Sequence, residues 1–181
     1  MIEREFVKQM IKRLARIDAS DVWGADLNPA QRAALEYLGR ANRFSRKPSQ
    51  VAEFLGSTRG TVSQTLKSLA RKEFVTEVQS ETDKRSISYD VTALGQSVLA
   101  AQDIIDKSLE RTSAEQLLTI SDGLRNILNN ALAVNGQRPF GVCKMCRHFR
   151  SETKGGHCTL LDVSLLPAET AQICHEQEPA A

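Results

Sequence analysis

The chain has 181 residues, of which 41% are hydrophobic and 25% are charged, as in an ordinary soluble globular protein. No apolar run approaches the ~20 residues of a membrane-spanning helix, and the charged N terminus lacks the layout of a signal peptide, so we expect a cytoplasmic protein with no membrane partner. The net charge is +2, but the stretch from Arg40 to Arg85 holds ten Lys or Arg against five Asp or Glu, which indicates either a polyanionic partner or a solvated face.

The N-terminal segment carries apolar residues every three or four positions from Ile2 to Ile17, which predicts an amphipathic helix. That helix belongs either to the core of one subunit or to a contact between two subunits. A second helix is predicted to follow Asn28, which suits the N-cap position. Pro29 then occupies the first helical position, and Gln31 completes a capping box.

Two short helices are predicted on either side of a tight turn. The first begins at Pro48 and ends at Gly56, a residue type that commonly terminates helices. The second begins immediately afterwards, with the Ser57-Thr58 pair at its N terminus. Two short helices joined in this way have the layout of a helix-turn-helix motif.

The outward face of the second short helix is polar and cationic and carries no acidic residue. Such side chains can bond base edges and phosphates in the major groove of DNA. An amphipathic helix without a DNA-binding role would show the same pattern, so the flanking elements decide between the two interpretations. The candidate DNA contacts on this helix are Ser57, Arg59, Thr61, Gln64, Lys67 and Ser68.

A β-hairpin is predicted next, with strands at 74–78 and 87–91. The polar loop between the strands has a basic tip. A helix-turn-helix followed by such a hairpin is a winged helix, in which Lys84 and Arg85 are placed to enter a minor groove with phosphates on either side.

Two further helices are predicted after the wing, one at 93–111 and one at 114–135, the latter beginning with a capping box at Ser113. With the N-terminal helix they exceed what a winged helix needs for its own core, so we expect a homodimer interface. The predicted fold is mainly α, with a small β-hairpin wing, a helical dimerisation region and a small Cys-rich tail.

The order and spacing of these motifs resemble those of the MarR family of transcriptional regulators over residues 1 to 135. The matching segments are 27–31 (LNPAQ), 48–56 (PSQVAEFLG), 61–64 (TVSQ), 83–85 (DKR) and 94–95 (LG). Two positions depart from the family pattern. Glu73 stands where glycine is common, so we expect it to adopt a left-handed conformation at a cost of ~1 kcal/mol. Thr76 stands where an arginine is frequent.

The resemblance implies a homodimer with intertwined terminal helices, bound to a pseudo-palindromic operator in double-stranded DNA with one recognition helix per half-site. It also implies that Asp83 orients the basic wing residue and that Arg85 enters the minor groove. Many relatives bind a small-molecule effector between the dimerisation and DNA-binding regions. No residue set in this sequence identifies such a ligand.

All four cysteines and all three histidines lie between Cys143 and His175, which marks a separate module. We therefore divide the chain into a winged-helix and dimerisation domain at 1–137 and a Cys-rich tail at 138–181. The spacing is Cys-x2-Cys-x11-Cys-x15-Cys, in which a Cys-x2-Cys turn grips a metal and two single cysteines complete four sulfur ligands. The predicted ligands are Cys143, Cys146, Cys158 and Cys174, with His148 and His157 as outer groups or alternative ligands.

Both zinc and an iron–sulfur cluster suit this spacing. Zinc sites often use two Cys-x2-Cys turns, and only one is present here. The layout of the four cysteines is similar to the ligand layout of high-potential iron–sulfur proteins. The comparison favours a [4Fe–4S] cluster over Zn²⁺.

Three hypotheses follow. The first is a DNA-binding regulator whose cluster senses redox state, oxygen, nitric oxide or iron supply, with the helices at 93–111 and 114–135 coupling the cluster to DNA. The second keeps the DNA binding but makes the tail a structural zinc module and assigns the signal to a small-molecule effector. The third, an electron carrier or enzyme, is disfavoured because no histidine precedes His148 and no phosphate-binding Gly-rich loop occurs.

Overall fold

The computed structural model describes residues 2–21, 26–80 and 85–180. In these ranges the helices are α1 (Ile2–Asp21), α2 (Pro29–Arg40), α3 (Pro48–Phe54), α4 (Arg59–Arg71), α5 (Ala93–Leu99), α6 (Ile104–Leu109) and α7 (Ala114–Val134). The wing strands are β1 (Val75–Gln79) and β2 (Ile87–Val91). The tail strands are β3 (Gly141–Val142), β4 (Phe149–Glu152), β5 (Gly155–Cys158), β6 (Val163–Leu165) and β7 (Ile173–Cys174). No helix within the described ranges has the length and apolar character that crossing a membrane requires.

The helix starts follow the capping signals in the sequence. At the start of α2, Asn28 Oδ1 accepts a hydrogen bond from Gln31 N at 2.9 Å, and Gln31 Oε1 accepts one from Asn28 N at 3.1 Å. Ser113 caps α7 in the same reciprocal way. Each cap satisfies backbone N–H groups that the first helical turn leaves without partners. The predicted starts of both helices are confirmed.

The main core lies between α2, α3, α4 and the wing. Its most deeply buried side chains are Leu35, Tyr37, Leu38, Val51, Leu66 and Leu69. Gly56 turns the chain between α3 and α4 with φ +58°, a conformation that glycine adopts without a steric penalty. Gly95 brings α5 against the wing, where a Cβ atom would lie 2.2 Å from Phe74 O. The helix-turn-helix layout predicted from the sequence is therefore present.

The wing follows a turn that costs backbone energy. Glu73, two residues after the end of α4, has φ +62°, so the left-handed conformation predicted for this non-glycine position is confirmed. β1 and β2 then pair antiparallel from Val75 opposite Val91 to Gln79 opposite Ile87. The first strand begins one residue later than predicted.

The prediction of one continuous helix at 93–111 was wrong. The chain instead forms α5 and α6, separated by residues 100–103. Asp103 caps α6 by accepting a hydrogen bond from Asp106 N at 2.8 Å, and Asp106 Oδ2 accepts one from Asp103 N at 3.2 Å. Arg32 Nη2 lies 3.7 Å from Asp103 Oδ2, which ties the break to α2. A capping box satisfies the N–H groups exposed by a new helix start, so it favours the interruption.

The tail contains two small antiparallel sheets, β3–β7 and β4–β5–β6. A second, smaller apolar cluster forms around Cys143, Leu165 and Cys174. Phe44 packs against this cluster from the turn between α2 and α3. We call residues 41–47, which join α2 to α3, the 41–47 loop. The tail therefore packs directly against the helix-turn-helix region of its own chain.

Candidate nucleic-acid interface and cysteine pocket

The buried stripe of α4 fixes which side chains face solvent. Val62, Leu66 and Leu69 are buried in the core. The opposite side of the helix is therefore exposed, because side chains three or four positions apart share a face. Among the predicted DNA contacts, the exposed residues on or next to α4 are Ser57, Arg59, Thr61, Gln64 and Lys67.

Ser68 differs from the other predicted contacts on α4. It is half-buried, and its Oγ accepts a hydrogen bond from Gln31 Nε2 at 2.9 Å. Thr58, which caps α4, accepts a hydrogen bond from Thr61 N at 3.1 Å. The hydroxyl of Ser68 thus joins α4 to α2, whereas Gln64 and Lys67 extend from the exposed face.

The wing is anchored beside α4 by polar contacts at its base. Arg46 Nη1 lies 2.7 Å from Asp90 Oδ1, and Tyr89 N donates to Arg46 O at 3.1 Å. Burial, and a hydrogen bond from its hydroxyl to Glu77, raise the pKa of Tyr89 to about 12, so the phenol stays protonated and remains a donor. These contacts connect the wing to the 41–47 loop.

The tip of the wing is only partly described. Of the predicted wing residues, Arg85 is exposed at the end of the hairpin, next to a hydrogen bond from Ser80 N to Ser86 O at 2.9 Å. Asp83 and Lys84 lie outside the described residues. Their roles remain predictions from the sequence.

The four cysteines line one small pocket in the tail, which we call the cysteine pocket. Strand pairing explains this placement, because β3 and β7 bring Gly141 opposite Cys174, and β4 and β5 bring Phe149 opposite Cys158. A 3₁₀ turn, Cys143–Met145, carries the Cys-x2-Cys segment. All four thiols are free, and the pocket is lined by Cys143, Cys146, His148, Phe149, Cys158, Leu160, Leu165, Cys174 and Glu176.

Several groups donate hydrogen bonds to the sulfur atoms. Asn42 Nδ2 donates to Cys143 Sγ at 3.3 Å, and Glu178 N donates to Cys146 Sγ at 3.4 Å. The Cys143 thiol donates to Cys174, which lowers the pKa of Cys174 and, together with burial, raises that of Cys143. The contact from Cys143 therefore favours the thiolate form of Cys174.

The geometry of the pocket is not that of a preformed metal site. Within residues 2–21, 26–80 and 85–180, no group of three or more His, Cys, Asp or Glu side chains has the arrangement that would hold a metal ion. His148 lines the pocket and lies 3.5 Å from Glu178. His157 Nε2 instead lies 3.2 Å from Asp162 Oδ1. The structure thus brings the four cysteines and His148 to one place and directs His157 to an acidic neighbour.

Two polar residues next to the pocket had no signal in the sequence. Asn42 and Ser45 are buried in the 41–47 loop, and each is 1% exposed. Ser45 Oγ accepts a hydrogen bond from His175 N at 2.8 Å. In the sequence these residues belong to a polar run that ends a helix, and nothing nearby indicates partners more than a hundred positions away.

Comparisons with known proteins agree with this architecture. The sequence model of the MarR family matches residues 25–86. The structure of Streptococcus pneumoniae FabT in complex with DNA matches with a TM-score of 0.58 and 22% identity, covering 72% of this chain and 96% of that chain. The Staphylococcus aureus MepR–DNA complex gives a TM-score of 0.56 and 22% identity, over 71% and 97% of the two chains.

A third solved structure, a MarR transcriptional regulator from Methanosarcina mazei Go1, has a TM-score of 0.58 and 19% identity, over 72% of this chain and 99% of that chain. No curated protein matches in sequence. At these identities the solved structures establish the fold, which is the MarR-type winged helix-turn-helix. The family model and these structures therefore show what residues 25–86 and the overall fold are similar to.

Proposed function

We propose that this chain is a homodimeric transcriptional regulator that binds a pseudo-palindromic DNA operator, and that its tail holds a [4Fe–4S] cluster which senses redox state, oxygen, nitric oxide or iron supply. The exposed polar face of α4 beside the wing is the observation that carries the DNA-binding part. FabT and MepR, which share this fold, were solved in complexes with DNA. We also propose that the protein is not an enzyme and that it acts in the cytoplasm.

The exposed face of α4 has the chemistry that operator recognition requires. The amide of Gln64 offers a donor and an acceptor together, which suits the edge of an adenine in the major groove. Arg59 and Lys67 are exposed cations on the same helix and suit phosphates. Base contacts specify the sequence, and phosphate contacts supply most of the salt-dependent affinity.

The terminal helices support the dimer. α7 has no buried side chain in this chain, although apolar residues recur along it, and Leu118 is 70% exposed. Phe6 on α1 is 65% exposed. Apolar faces of this extent on two long helices are typical of an interface between subunits. A dimer would also give the two recognition helices that a pseudo-palindromic operator needs.

Selection of duplexes from a random-sequence library, followed by titration, tests the DNA-binding proposal. We expect Gln64→Ala to weaken binding to the selected duplex about tenfold or more while leaving binding to random duplex unchanged. Lys67→Ala should weaken both and reduce the slope of log affinity against log salt by about 1. The control is Lys154→Ala, which removes an exposed tail lysine. Equal losses for all three variants, or no selected duplex, would contradict the proposal.

The chemistry of the residues that line the cysteine pocket, rather than a preformed geometry, supports the cluster part of the proposal. Four cysteines supply the number of sulfur ligands that a [4Fe–4S] cluster takes, and they all line the same pocket. Hydrogen bonds from Asn42 and from the backbone at Glu178 already reach two of the sulfurs. These donors fit a group held by thiolates. Cys143, Cys146, Cys158 and Cys174 would hold the cluster, which when bound supplies one-electron redox chemistry.

Purification without oxygen, followed by iron, sulfide and zinc analysis and a visible spectrum, tests the cluster. We expect about four iron atoms per chain, their loss in Cys146→Ser, and their retention in Met145→Leu, the matched change at an exposed neighbour. A colourless protein with about one zinc per chain would instead make the tail a structural module. A protein without either metal would contradict both assignments.

One observation favours the second candidate, a regulator with a structural zinc tail and a small-molecule effector. A cavity of about 710 Å³ opens between the α1, α2, α5, α6 and α7 segments. Leu14, Leu99 and Leu124 are among its apolar lining, and Arg32 and Arg40 are among its polar lining. Its size and mixed lining suit a small organic ligand. If a small-molecule effector binds in this cavity, addition of simple aromatic acids should raise the melting temperature of the protein.

A further inference from the structure

The tail meets the DNA-binding region at the 41–47 loop. Ala41 forms a parallel bridge with Ile173, and Asn42 N donates to Ile173 O at 2.9 Å. Arg43 pairs with the buried carboxylate of Glu169, and its Nη2 donates to Ser164 O at 3.0 Å. The backbone of the loop thus pairs with β7, and the Arg43 side chain bonds to Ser164 and Glu169, which precede β7 in the chain.

Two buried polar side chains of this loop reach the segments that carry cysteines. Asn42 Nδ2 donates to Cys143 Sγ, and Asn42 Oδ1 accepts from Phe44 N at 3.1 Å within the loop. Ser45 Oγ accepts from His175 N, next to Cys174. Because both side chains are buried, losing either partner would leave a buried polar group unsatisfied, which is unfavourable. The loop conformation therefore depends on where the cysteine segments lie.

The same tail segment also contacts α3, the helix that supports α4. His175 Nε2 lies 2.8 Å from Glu53 Oε2. The ring of Phe140 lies edge-on to Phe54, with centroids 5.1 Å apart, and also contacts the His175 ring at 5.5 Å. The two ends of the tail therefore meet at the C-terminal end of α3, shortly before α4 begins.

Within one subunit, the route through the long helices is poorly connected by comparison, because the apolar face of α7 is left for the dimer interface proposed above. In the part of the chain that the structure describes, α7 buries no side chain, and the 93–111 segment is interrupted at 100–103. Coupling between sites needs packed or hydrogen-bonded elements that respond as a unit. The 41–47 loop meets that condition, because it bonds to the cysteine segments on one side and leads directly into α3 on the other.

We propose that the 41–47 loop is the coupling element through which the occupancy of the cysteine pocket controls α3 and α4, with Asn42 as the positioning residue at the sulfur side. This inference rests on the proposed function, because it assumes a metal group held by the cysteines. A bound group fixes Cys143 and Cys174, and so holds Asn42 and Ser45 in their bonded positions. Its loss frees the cysteine segments and loosens the loop, and α4 loses the fixed support that DNA binding requires.

Hydrogen exchange on the full-length protein tests the route. Exchange is compared between the metal-loaded protein and the same protein after chelation, without DNA. We expect removal of the metal to increase exchange at 41–54 about tenfold, while exchange at 114–134 stays within twofold. Increased exchange at 114–134 with no change at 41–54 would overturn the inference and return the coupling to the long helices.

A double variant that removes two side-chain contacts between the tail and the helix-turn-helix region tests the effect of the coupling on DNA binding. Arg43→Ala with Glu53→Ala removes two side chains that are 45% and 37% exposed, whereas their partners Glu169 and His175 are 9% and 15% exposed. Circular dichroism and metal analysis check that the double variant folds and keeps its metal before DNA binding is measured. We expect this double variant to bind the selected duplex with an affinity that changes less than threefold on chelation, against about tenfold for the parent protein. The control is Glu152→Ala with Lys154→Ala, which removes the same charges from the exposed β4–β5 hairpin and should keep the parent response.

The Asn42→Ala variant gives a readout that a purely structural role would not change. A hydrogen bond to sulfur stabilises the reduced cluster, so its loss should make the reduction potential more negative, whereas Arg43→Ala should leave the potential unchanged. An unchanged potential in Asn42→Ala would overturn the role of Asn42. A parent protein that binds no metal would overturn the proposed function, whereas a metal-loaded parent whose 41–54 exchange ignores chelation overturns this inference alone.

Discussion

At the scale of single residues, Glu73 shows a local conflict between sequence and backbone. It follows α4 in a left-handed conformation, which glycine would adopt without penalty because it has no Cβ atom. Thr92 Oγ1 donates to Glu73 O, and Phe74 directly after it is buried in the core. The contacts of the following residues therefore hold Glu73 in a conformation that its own side chain disfavours.

We expect Glu73→Gly to raise the free energy of unfolding by about 1 kcal/mol, because it removes the Cβ strain at φ +62°. Urea denaturation followed by circular dichroism measures the change. The control is Arg71→Gly, at the exposed last residue of α4, which should lower the free energy of unfolding by about 0.5–1 kcal/mol. A loss of stability in Glu73→Gly would show that the side chain makes contacts worth more than the strain.

Residues with local partners were predictable, and those with distant partners were not. The caps at Asn28 and Ser113 follow from neighbours within four positions. The conformation of Glu73 was predicted from the resemblance, in which glycine is common at this position. Asn42 bonds to a sulfur 101 positions away, and Ser45 to a backbone N–H 130 positions away. No local pattern encodes such partners, so the way the tail docks on the loop could not be derived from the sequence.

At the scale of elements, the interruption between α5 and α6 shows how a capping box can override hydrophobic periodicity. The apolar positions across 93–111 fit one helix, yet Asp103 and Asp106 bond reciprocally and start a new helix. The N-terminal end of a helix also favours the negative charge of both carboxylates. Periodicity alone therefore indicated the extent of helical structure but not where it breaks.

We expect Asp103→Ala to destabilise α6, at a cost of about 1 kcal/mol, because it removes the cap and the carboxylate near Arg32. Hydrogen exchange at 104–109 should rise several-fold, whereas exchange at 59–71 should stay at the parent level. Asp122→Asn on α7 serves as the control for losing one exposed acidic charge. Unchanged exchange at 104–109 would mean that packing, rather than the cap, holds the helix.

At the scale of the whole molecule, residues 2–21, 26–80 and 85–180 form two buried apolar clusters, whereas the apolar faces of α1 and α7 are exposed. The larger cluster supports the helix-turn-helix, and the smaller one lies at the cysteine pocket. The predicted dimerisation region is where exposed apolar side chains concentrate. The sequence indicated this region through helices in excess of a winged-helix core, whereas the subunit arrangement depends on contacts that a single chain does not contain.

We expect Phe6→Asp combined with Leu128→Asp to convert the dimer to a monomer, because both side chains are more than half exposed in one chain. Sedimentation equilibrium measures the mass. Leu166→Asp, at a tail position that is 63% exposed and lies outside the lining of the cysteine pocket, is the control and should leave the dimer intact. A parent protein that sediments as a monomer at micromolar concentration would contradict the dimer.

The docking of β7 on the 41–47 loop has a consequence for how the protein is made. A ribosome releases the loop about 130 residues before the segment that satisfies Ser45. At roughly 5–20 residues per second, that delay lasts about 7–26 s. During this interval the nascent winged helix lacks the partners of Asn42 and Ser45. Maturation therefore has a fixed order, in which the helical region is synthesised first and the complete support of its recognition helix is assembled only after translation has reached the last cysteine.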